Sequence, residues 1–279
     1  MVRVKDSALS KRSIENRSPR ALLVVRPKAK SSGDLRGIKR GEAGYPLFVR
    51  MRPFDLIPVV SYPWGAMKVL LIADSPDFDT AFIVRFATEV DSIIVTDGAL
   101  HKLPPSVIPH IVCGDFDSLV VPDVRAAYAQ TEFVELFDQN RNDLEKALLL
   151  AISRGATDIT IASAFGGQID MSVANLSVMI RHHATCALSM VHGAMMTRVL
   201  SDRGRSADTI TFDARPGAAL SCISLDGDAV VTISNVQWPL DEAVLRAGSH
   251  GVGNHALGGP VKVKVHRGLV LVGYEIPQV

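Results

Sequence analysis

The chain has 279 residues, 30 Lys and Arg against 29 Asp and Glu, and 47% apolar residues, which is ordinary for a protein with a well-buried core. No run of about 18 apolar residues occurs, so no membrane-spanning helix is expected. Three cysteines without a Cys-x-x-Cys pair argue against a disulfide framework or a zinc site, and favour a reducing, cytoplasmic compartment.

Charge divides the sequence near Met67. Residues 1–66 hold 14 Lys/Arg and 5 Asp/Glu, a balance of +9, whereas residues 67–279 have a balance of −8. The basic segment has three interpretations: a disordered tail, an organelle transit peptide, or a start-site artefact upstream of a true start at Met67. A tail or an artefact is the favoured reading. Aromatic residues do not alternate regularly with the basic residues of this segment, so no nucleic-acid partner is predicted.

Residues 67–196 alternate between strand and helix patterns. This alternation predicts an α/β domain with a mostly parallel, Rossmann-like sheet flanked by helices. The predicted strands are residues 68–73, 92–96, 110–113, 133–137, 158–162 and 187–191, and the predicted helices are residues 78–88, 122–130, 143–153 and 172–183.

The pattern changes at residue 197. Short β-type runs separated by Gly, Pro and Asp turns predict a second, all-β domain over residues 197–279, a small sandwich or barrel. The runs are residues 197–200, 209–212, 219–225, 229–233, 261–265 and 269–273.

The segment Gly114-Asp115-Phe116-Asp117-Ser118 follows an apolar strand pattern. In extended chain, residues i and i+2 point to the same side, so both carboxylates would face one spot and Phe116 would turn into the core. Two close carboxylates suit a hard divalent cation such as Mg²⁺. The simpler interpretation of the pentapeptide alone is an acidic turn.

The other acidic motifs also follow predicted strands or open predicted helices. In open α/β sheets ligands bind beyond the carboxyl ends of the strands, so these groups should meet at one rim. Each has a simpler explanation as a turn, an N-cap or a first-turn acid, but their coincidence favours a metal-assisted phosphate site. The motifs are Asp97-Gly98, Asp115 with Asp117, Asp138-Gln139, Asp143, and Gly166-Gly167-Gln168-Ile169-Asp170.

These motifs, in this order, resemble those of the thiamin pyrophosphokinase family from residue 67 to about residue 273. The resemblance implies a homodimer that transfers pyrophosphate from ATP to the thiamin hydroxyl, giving thiamin diphosphate and AMP, with Mg²⁺. The matching segments are residues 97–99, 109–118, 138–148 and 166–175, with Trp238-Pro239-Leu240 and Gly253-Asn254 in the β-rich part.

The resemblance also implies roles for individual residues. Asp115, Asp117 and Asp143 would hold Mg²⁺ and the nucleotide phosphates, with Asp97 nearby as a fourth catalytic carboxylate. Trp238 would stack on thiamin and Asn254 would hydrogen-bond its pyrimidine, in a pocket shared between subunits. The remaining nucleotide- and substrate-binding candidates are Gly98, Ser118, Gln139, Asn142, Gly166, Gly167, Gln168, Asp170 and Asn175.

The chain departs from the family pattern at several positions. Gln168 replaces a usual Arg and Met171 a usual His, and Gly253 replaces a usual Ser. These departures keep two alternatives open: a related transferase acting on another alcohol, and a catalytically weak thiamin- or nucleotide-binding protein.

Overall fold

Parallel strand pairing organises the first half of the described chain. The computed structural model describes residues 49–51, 67–117, 124, 126–203 and 207–276. The strands in these ranges are β1 Val49–Met51, β2 Met67–Ile72, β3 Ser92–Thr96, β4 Ile111–Gly114, β5 Glu132–Leu136, β6 Ala156–Ala162, β7 Ala187–His192, β8 Met195–Ser201, β9 Thr209–Ala214, β10 Ala219–Ser224, β11 Ala229–Ser234, β12 Leu240–Leu245, β13 Gly251–His255, β14 Gly259–Arg267 and β15 Leu269–Glu275.

The helices of the described residues connect the early strands. They are α1 Thr80–Phe86, a 3-10 helix Asp97–Lys102, α2 Asp143–Ser153 and α3 Ile169–His182. Helix α1 begins where the Asp79 carboxylate accepts the Phe82 N–H at 2.9 Å, and α2 begins where the Asn142 side chain accepts the Glu145 N–H at 2.9 Å. None of the described helices is long and apolar enough to cross a membrane.

The strands form two sheets. The larger has eleven strands in the order β1-β5-β4-β3-β2-β6-β7-β8-β15-β10-β13, and the smaller has four in the order β12-β11-β14-β9. Pairing in the large sheet is parallel from β1 to β7 and antiparallel from β7 onward. A mixed α/β fold with a second, antiparallel sheet is therefore confirmed, and the finer Rossmann-like description stays a prediction.

Alternate residues of β2 enter two different hydrophobic cores. Val69 and Leu71 pack in a core with α2 residues such as Leu148, whereas Leu70 and Ile72 pack in a core that includes Phe82 and Ile83 of α1. A strand buried on both faces explains the unbroken apolar run of β2. A third core lies between the two sheets and contains apolar residues of β10 and β15 from one sheet and of β11 and β14 from the other.

The sequence patterns locate most elements well. Each predicted strand is observed within two residues at each end, and α2 is observed with its predicted bounds. Strands β12 and β13 were not predicted. The predicted helix over residues 122–130 is only partly within the described residues.

The predicted division at residue 197 stays a prediction. It falls inside β8, which pairs with β7 on one side and β15 on the other, so the large sheet runs through it. Of the predicted extension over residues 1–66, the structure describes only β1, which pairs in parallel with β5; the rest lies outside the described residues.

Candidate active site

Three carboxylates meet where β3 and β4 end. Asp97 follows β3, and Asp115 and Asp117 follow β4; one oxygen from each side chain lies within 4.8 Å of the others. The two strands pair in parallel with Thr96 opposite Cys113, so their carboxyl ends share one edge. We call Asp97, Asp115 and Asp117 the acidic group.

Asp97 is the buried member of the acidic group, with 4% exposure. Its Oδ1 accepts the Gly98 N–H at 2.9 Å and its Oδ2 accepts the Phe116 N–H at 2.8 Å. Burial raises the pKa of the Asp97 carboxyl, and the negative charges of Asp143 and Asp115 raise it further, against the lowering effect of the two backbone hydrogen bonds.

The backbone of residues 114–117 fits around Asp97. A Cβ at Gly114 would lie 2.2 Å from the Asp97 carboxyl carbon, so only glycine leaves room for this side chain. Phe116 has φ 59°, which is left-handed rather than the extended conformation assumed from the sequence. The expected outcome still holds for Phe116: its ring is buried, 6.0 Å from the ring of Phe133.

Asp143 stands outside the acidic group. Its carboxylate pairs with the Lys146 ammonium at 2.6 Å, and Lys146 is buried at 8% exposure. The charge of Asp143 nevertheless reaches Asp97, whose pKa it raises. The structure thus brings Asp97 together with Asp115 and Asp117, and the metal set of Asp115, Asp117 and Asp143 stays a prediction.

A pair of side-chain amides links α2 to the turn after β6. The Asn142 amide nitrogen donates to Asn175 Oδ1 at 2.8 Å, and the Asn175 amide nitrogen donates to the Ala164 carbonyl at 2.7 Å. Asn142 thus caps α2 and also fixes Asn175. The Glu145 carboxylate does not complete a capping box with Asn142; its Oε1 lies 3.0 Å from His182 Nε2.

The Gly166-Gly167 turn packs against the segment that follows β2. Both glycines have positive φ, 101° and 68°; an added Cβ would lie 2.4 Å from an Asp77 oxygen at Gly166 and 2.9 Å from Pro76 at Gly167. The same segment also packs against the start of the 3-10 helix, because a Cβ at Gly98 would lie 2.8 Å from an Asp74 oxygen. We call residues 74–77 the rim loop.

The rim loop carries two carboxylates, Asp74 and Asp77, that are not among the predicted site residues. Asp74 lies two residues and Asp77 five residues beyond the end of β2, so a wider application of the same strand-end rule would have found them. The loop is held by the Ser75 hydroxyl, which donates to the Phe165 carbonyl.

The other binding residues predicted for these strand ends have fewer contacts. Gln139, Gln168 and Asp170 are exposed, and the Gln168 side chain makes no capping hydrogen bond at the start of α3. The Asp170 carboxylate accepts the Met171 N–H at 3.0 Å. Ser118 lies outside the described residues.

Trp238 and Asn254 form a unit on the β-rich part. Trp238 is 56% exposed, while Asn254 is buried at 7%. Asn254 Oδ1 accepts the Trp238 N–H at 3.1 Å, and its amide nitrogen donates to the Trp238 carbonyl at 2.8 Å. Asn254 therefore fixes the backbone of an exposed indole, a role that the sequence did not suggest.

A separate cavity of about 280 Å³ lies near the start of β7 and is lined by residues of β7, β8 and β9. None of the predicted site residues lines it. It lies at the amino end of β7, whereas the acidic group and the Gly166-Gly167 turn follow the carboxyl ends of their strands.

A family model matches the segment that carries these residues. Residues 84–190, which contain the acidic group and the Gly166-Gly167 turn, match the family model of the thiamin pyrophosphokinase catalytic domain. No curated protein matches the chain in sequence.

Solved structures resemble most of the chain. Thiamine pyrophosphokinase from Bacillus subtilis matches with a TM-score of 0.63 and 16% identity, over 76% of this chain and 100% of that one. The enzyme from Geobacillus thermodenitrificans matches at 0.62 and 19%, over 76% and 99%, and the one from Candida albicans at 0.62 and 14%, over 86% and 96%. The predicted resemblance to the thiamin pyrophosphokinase family is therefore confirmed: residues 84–190 match its catalytic-domain model, and the described chain shares the fold of its solved members.

Proposed function

We propose that this protein is a thiamin diphosphokinase that transfers pyrophosphate from ATP to the hydroxyl of thiamin, giving thiamin diphosphate and AMP. The observation that carries the proposal is the convergence of Asp97, Asp115 and Asp117 at the strand ends, within the segment that matches the family's catalytic domain. In this reaction few side chains do covalent chemistry, because catalysis is mainly alignment and charge neutralisation.

The donor set of the acidic group fits Mg²⁺. It offers carboxylate oxygens alone, the ligands that a hard divalent cation prefers. Asp115 and Asp117, with Asp97 or Asp143, would hold the ion, which would neutralise phosphate charge. The nucleotide phosphates would then lie between the acidic group and the Gly166-Gly167 turn, whose glycines allow a close backbone approach.

Residues of this chain would also orient the acceptor. The exposed indole of Trp238 offers a flat, electron-rich face to the cationic thiazolium of thiamin, and Asn254 holds its backbone in place. We propose that the pocket is completed by a second copy of the chain in a cytoplasmic homodimer.

The direct test is turnover by the full chain with ATP, Mg²⁺ and thiamin, following AMP and thiamin diphosphate together. We expect the two products in equal amounts, and neither when thiamin or Mg²⁺ is omitted. ADP in place of AMP would contradict pyrophosphoryl transfer. The same assay on a chain that begins at Met67 would measure what residues 1–66 contribute.

A second candidate is a related transferase that acts on a different alcohol. It is favoured by Gly253, which has φ 79° and lacks the hydroxyl that the family's usual Ser would carry at this position. A panel of alcohol acceptors in the same assay distinguishes the two: AMP formation with another acceptor, and none with thiamin, would select the second candidate. Ligand-induced stabilisation without any AMP would instead favour a binding protein.

A further inference from the structure

Three basic side chains carry ion pairs near the acidic group and the Gly166-Gly167 turn in the described part of the chain. Lys146 is buried and held by Asp143 at 2.6 Å, and Arg141 pairs with Asp138 and lies 3.8 Å from Glu145. Lys102 has a side chain that is 40% exposed, unlike the buried Lys146, and it differs from the 35% exposed Arg141 in being held by the rim loop. A ligand can therefore contact the Lys102 ammonium group without first exposing a buried ion pair.

The ammonium of Lys102 is fixed on the rim loop. It donates to Asp74 Oδ1 at 2.5 Å and to the Ser75 carbonyl at 3.0 Å. Lys102 itself is the last residue of the 3-10 helix that begins with Asp97, so its backbone is tied to the acidic group.

The rim loop places this ammonium between two parts of the site. Asp74 packs against Gly98, next to Asp97, while Pro76 and Asp77 pack against Gly167 and Gly166. A ligand that extends from the acidic group to the glycine turn would thus pass the rim loop.

We propose that Lys102 binds the polyphosphate of the nucleotide co-substrate, exchanging its contact with Asp74 for phosphate oxygens while it keeps the Ser75 carbonyl. This inference rests on the proposed function. An ammonium has three donors, enough for both kinds of contact. The Asp74 carboxylate is 47% exposed, and such an exposed ion pair is weak, so the exchange costs little.

The position of Lys102 complements its neighbours. Gln168 is the N-cap residue of α3 beside the glycine turn; its side chain is uncharged and makes no capping hydrogen bond, so residue 168 supplies no cation to that end of the site. A polyphosphate carries more negative charge than one divalent ion neutralises. Lys102 supplies a positive charge at the rim loop, between the acidic group and the turn.

A purely structural role for Lys102 makes a different prediction. If Lys102 only clamps the rim loop through Asp74, then Asp74→Asn should weaken nucleotide binding as much as Lys102→Met does. If Lys102 binds phosphate, Asp74→Asn removes only its competitor, and nucleotide affinity should be unchanged or tighter.

The experiment measures binding of a non-hydrolysable ATP analogue and of inorganic tripolyphosphate, each with Mg²⁺, to the full chain by calorimetry. We expect Lys102→Met to weaken both at least tenfold, Lys102→Arg to restore most of the affinity, and adenosine binding to stay unchanged. Lys68→Met is the matched control, because Lys68 is exposed at the amino end of β2, away from the strand ends that carry the site. Thermal unfolding of each variant verifies that it is folded.

The outcomes separate the two proposals. Equal affinities for Lys102→Met and Lys68→Met would overturn the role of Lys102 and leave the proposed function standing. Equal losses in Lys102→Met and Asp74→Asn would also overturn it, in favour of a clamp. Absence of nucleotide binding by the unchanged chain would overturn both the proposed function and this inference.

Discussion

Gly114 lies so close to the Asp97 carboxyl group that no side chain fits at position 114. An added Cβ at Gly114 would lie 2.2 Å from the Asp97 carboxyl carbon and 2.4 Å from each of its oxygens. Asp97 is fixed by two backbone N–H groups, so it cannot move aside without breaking them. The glycine of the pentapeptide therefore shapes the acidic group and is more than a turn residue.

Gly114→Ala tests this relationship. We expect it to lower the free energy of unfolding by about 1–3 kcal/mol, as overpacking does, and to weaken Mg²⁺ binding at least tenfold because Asp97 is displaced. Gly273→Ala is the control, since its nearest neighbour would be 3.9 Å away. Denaturant unfolding and a Mg²⁺ titration measure the two effects. Equal behaviour of the two variants would show that the site tolerates a shifted Asp97.

Asp117→Asn tests the exposed member of the acidic group. We expect the fold to be retained and turnover to fall by about two to three orders of magnitude, because charge stabilisation of this kind is worth several kcal/mol. Asp213→Asn, an exposed strand residue of the smaller sheet, serves as the control. Near-normal turnover in Asp117→Asn would remove Asp117 from the site.

The raised pKa of Asp97 predicts how metal binding depends on pH. Metal binding needs the ionised carboxylate, so Mg²⁺ affinity should fall as pH drops through the raised pKa, and this fall should begin at a higher pH than for an ordinary carboxyl. Calorimetric titration with Mg²⁺ across the acidic range measures it. An affinity that stays constant down to the ordinary carboxyl range would contradict a role for Asp97 in binding.

The stability of the metal-free protein should change in the same pH window with the opposite sign. Between the ordinary and the raised pKa of Asp97, the folded state binds more protons than the unfolded state, so the free energy of unfolding falls as pH rises. Mg²⁺ should offset this loss. Unfolding curves with and without Mg²⁺ at several pH values measure the effect.

The acidic group could be predicted from the sequence because the rule for binding sites in open α/β sheets depends only on where the strands end. Asp97 and Asp115 follow apolar runs that are buried on both faces, and such runs are easy to recognise. Lys102 was not recognised, because its place beside Asp74 depends on a 3-10 helix that no periodicity indicates. The left-handed Phe116 was likewise missed, since a bulky residue rarely adopts positive φ.

The missed strands have a similar cause. β12 has the sequence Leu-Asp-Glu-Ala-Val-Leu and β13 has Gly-Val-Gly-Asn-His, so charge and glycine conceal their β character. Their pairing with β11 and β10 supplies what the local sequence lacks. Asn254 is one result: it lies on β13, and only the tertiary structure shows that it binds the backbone of Trp238.

Ser163 predicts a stabilising substitution. It follows β6 with φ 55°, and its buried hydroxyl has no hydrogen-bond partner among the described residues. Ser163→Gly removes both the left-handed strain and the unpaired group, so we expect the free energy of unfolding to rise by about 1–2 kcal/mol. Asn235→Gly is the contrasting control: Asn235 has φ 61°, but its amide donates to the Gly258 and Pro260 carbonyls, so its loss should destabilise. Loss of stability in Ser163→Gly would indicate that the hydroxyl has a partner, such as a bound water.

Trp238→Ala tests the thiamin side of the site. The indole is 56% exposed and touches His255 only edge-on, with ring centroids 6.0 Å apart, so its removal should cost little stability. Loss of stacking on a thiazolium cation should instead raise the KM for thiamin about tenfold, because a cation–π contact is worth about 1–2 kcal/mol when it is shielded from water. The KM for ATP should not change, and Trp238→Phe should retain part of the affinity for thiamin.

Val252→Ala is the control for loss of apolar surface, because the Val252 side chain is also exposed, at 51%. Steady-state kinetics with each substrate varied in turn measure both constants. An unchanged thiamin KM in Trp238→Ala would contradict stacking and would leave Trp238 as a surface residue of the β-rich part.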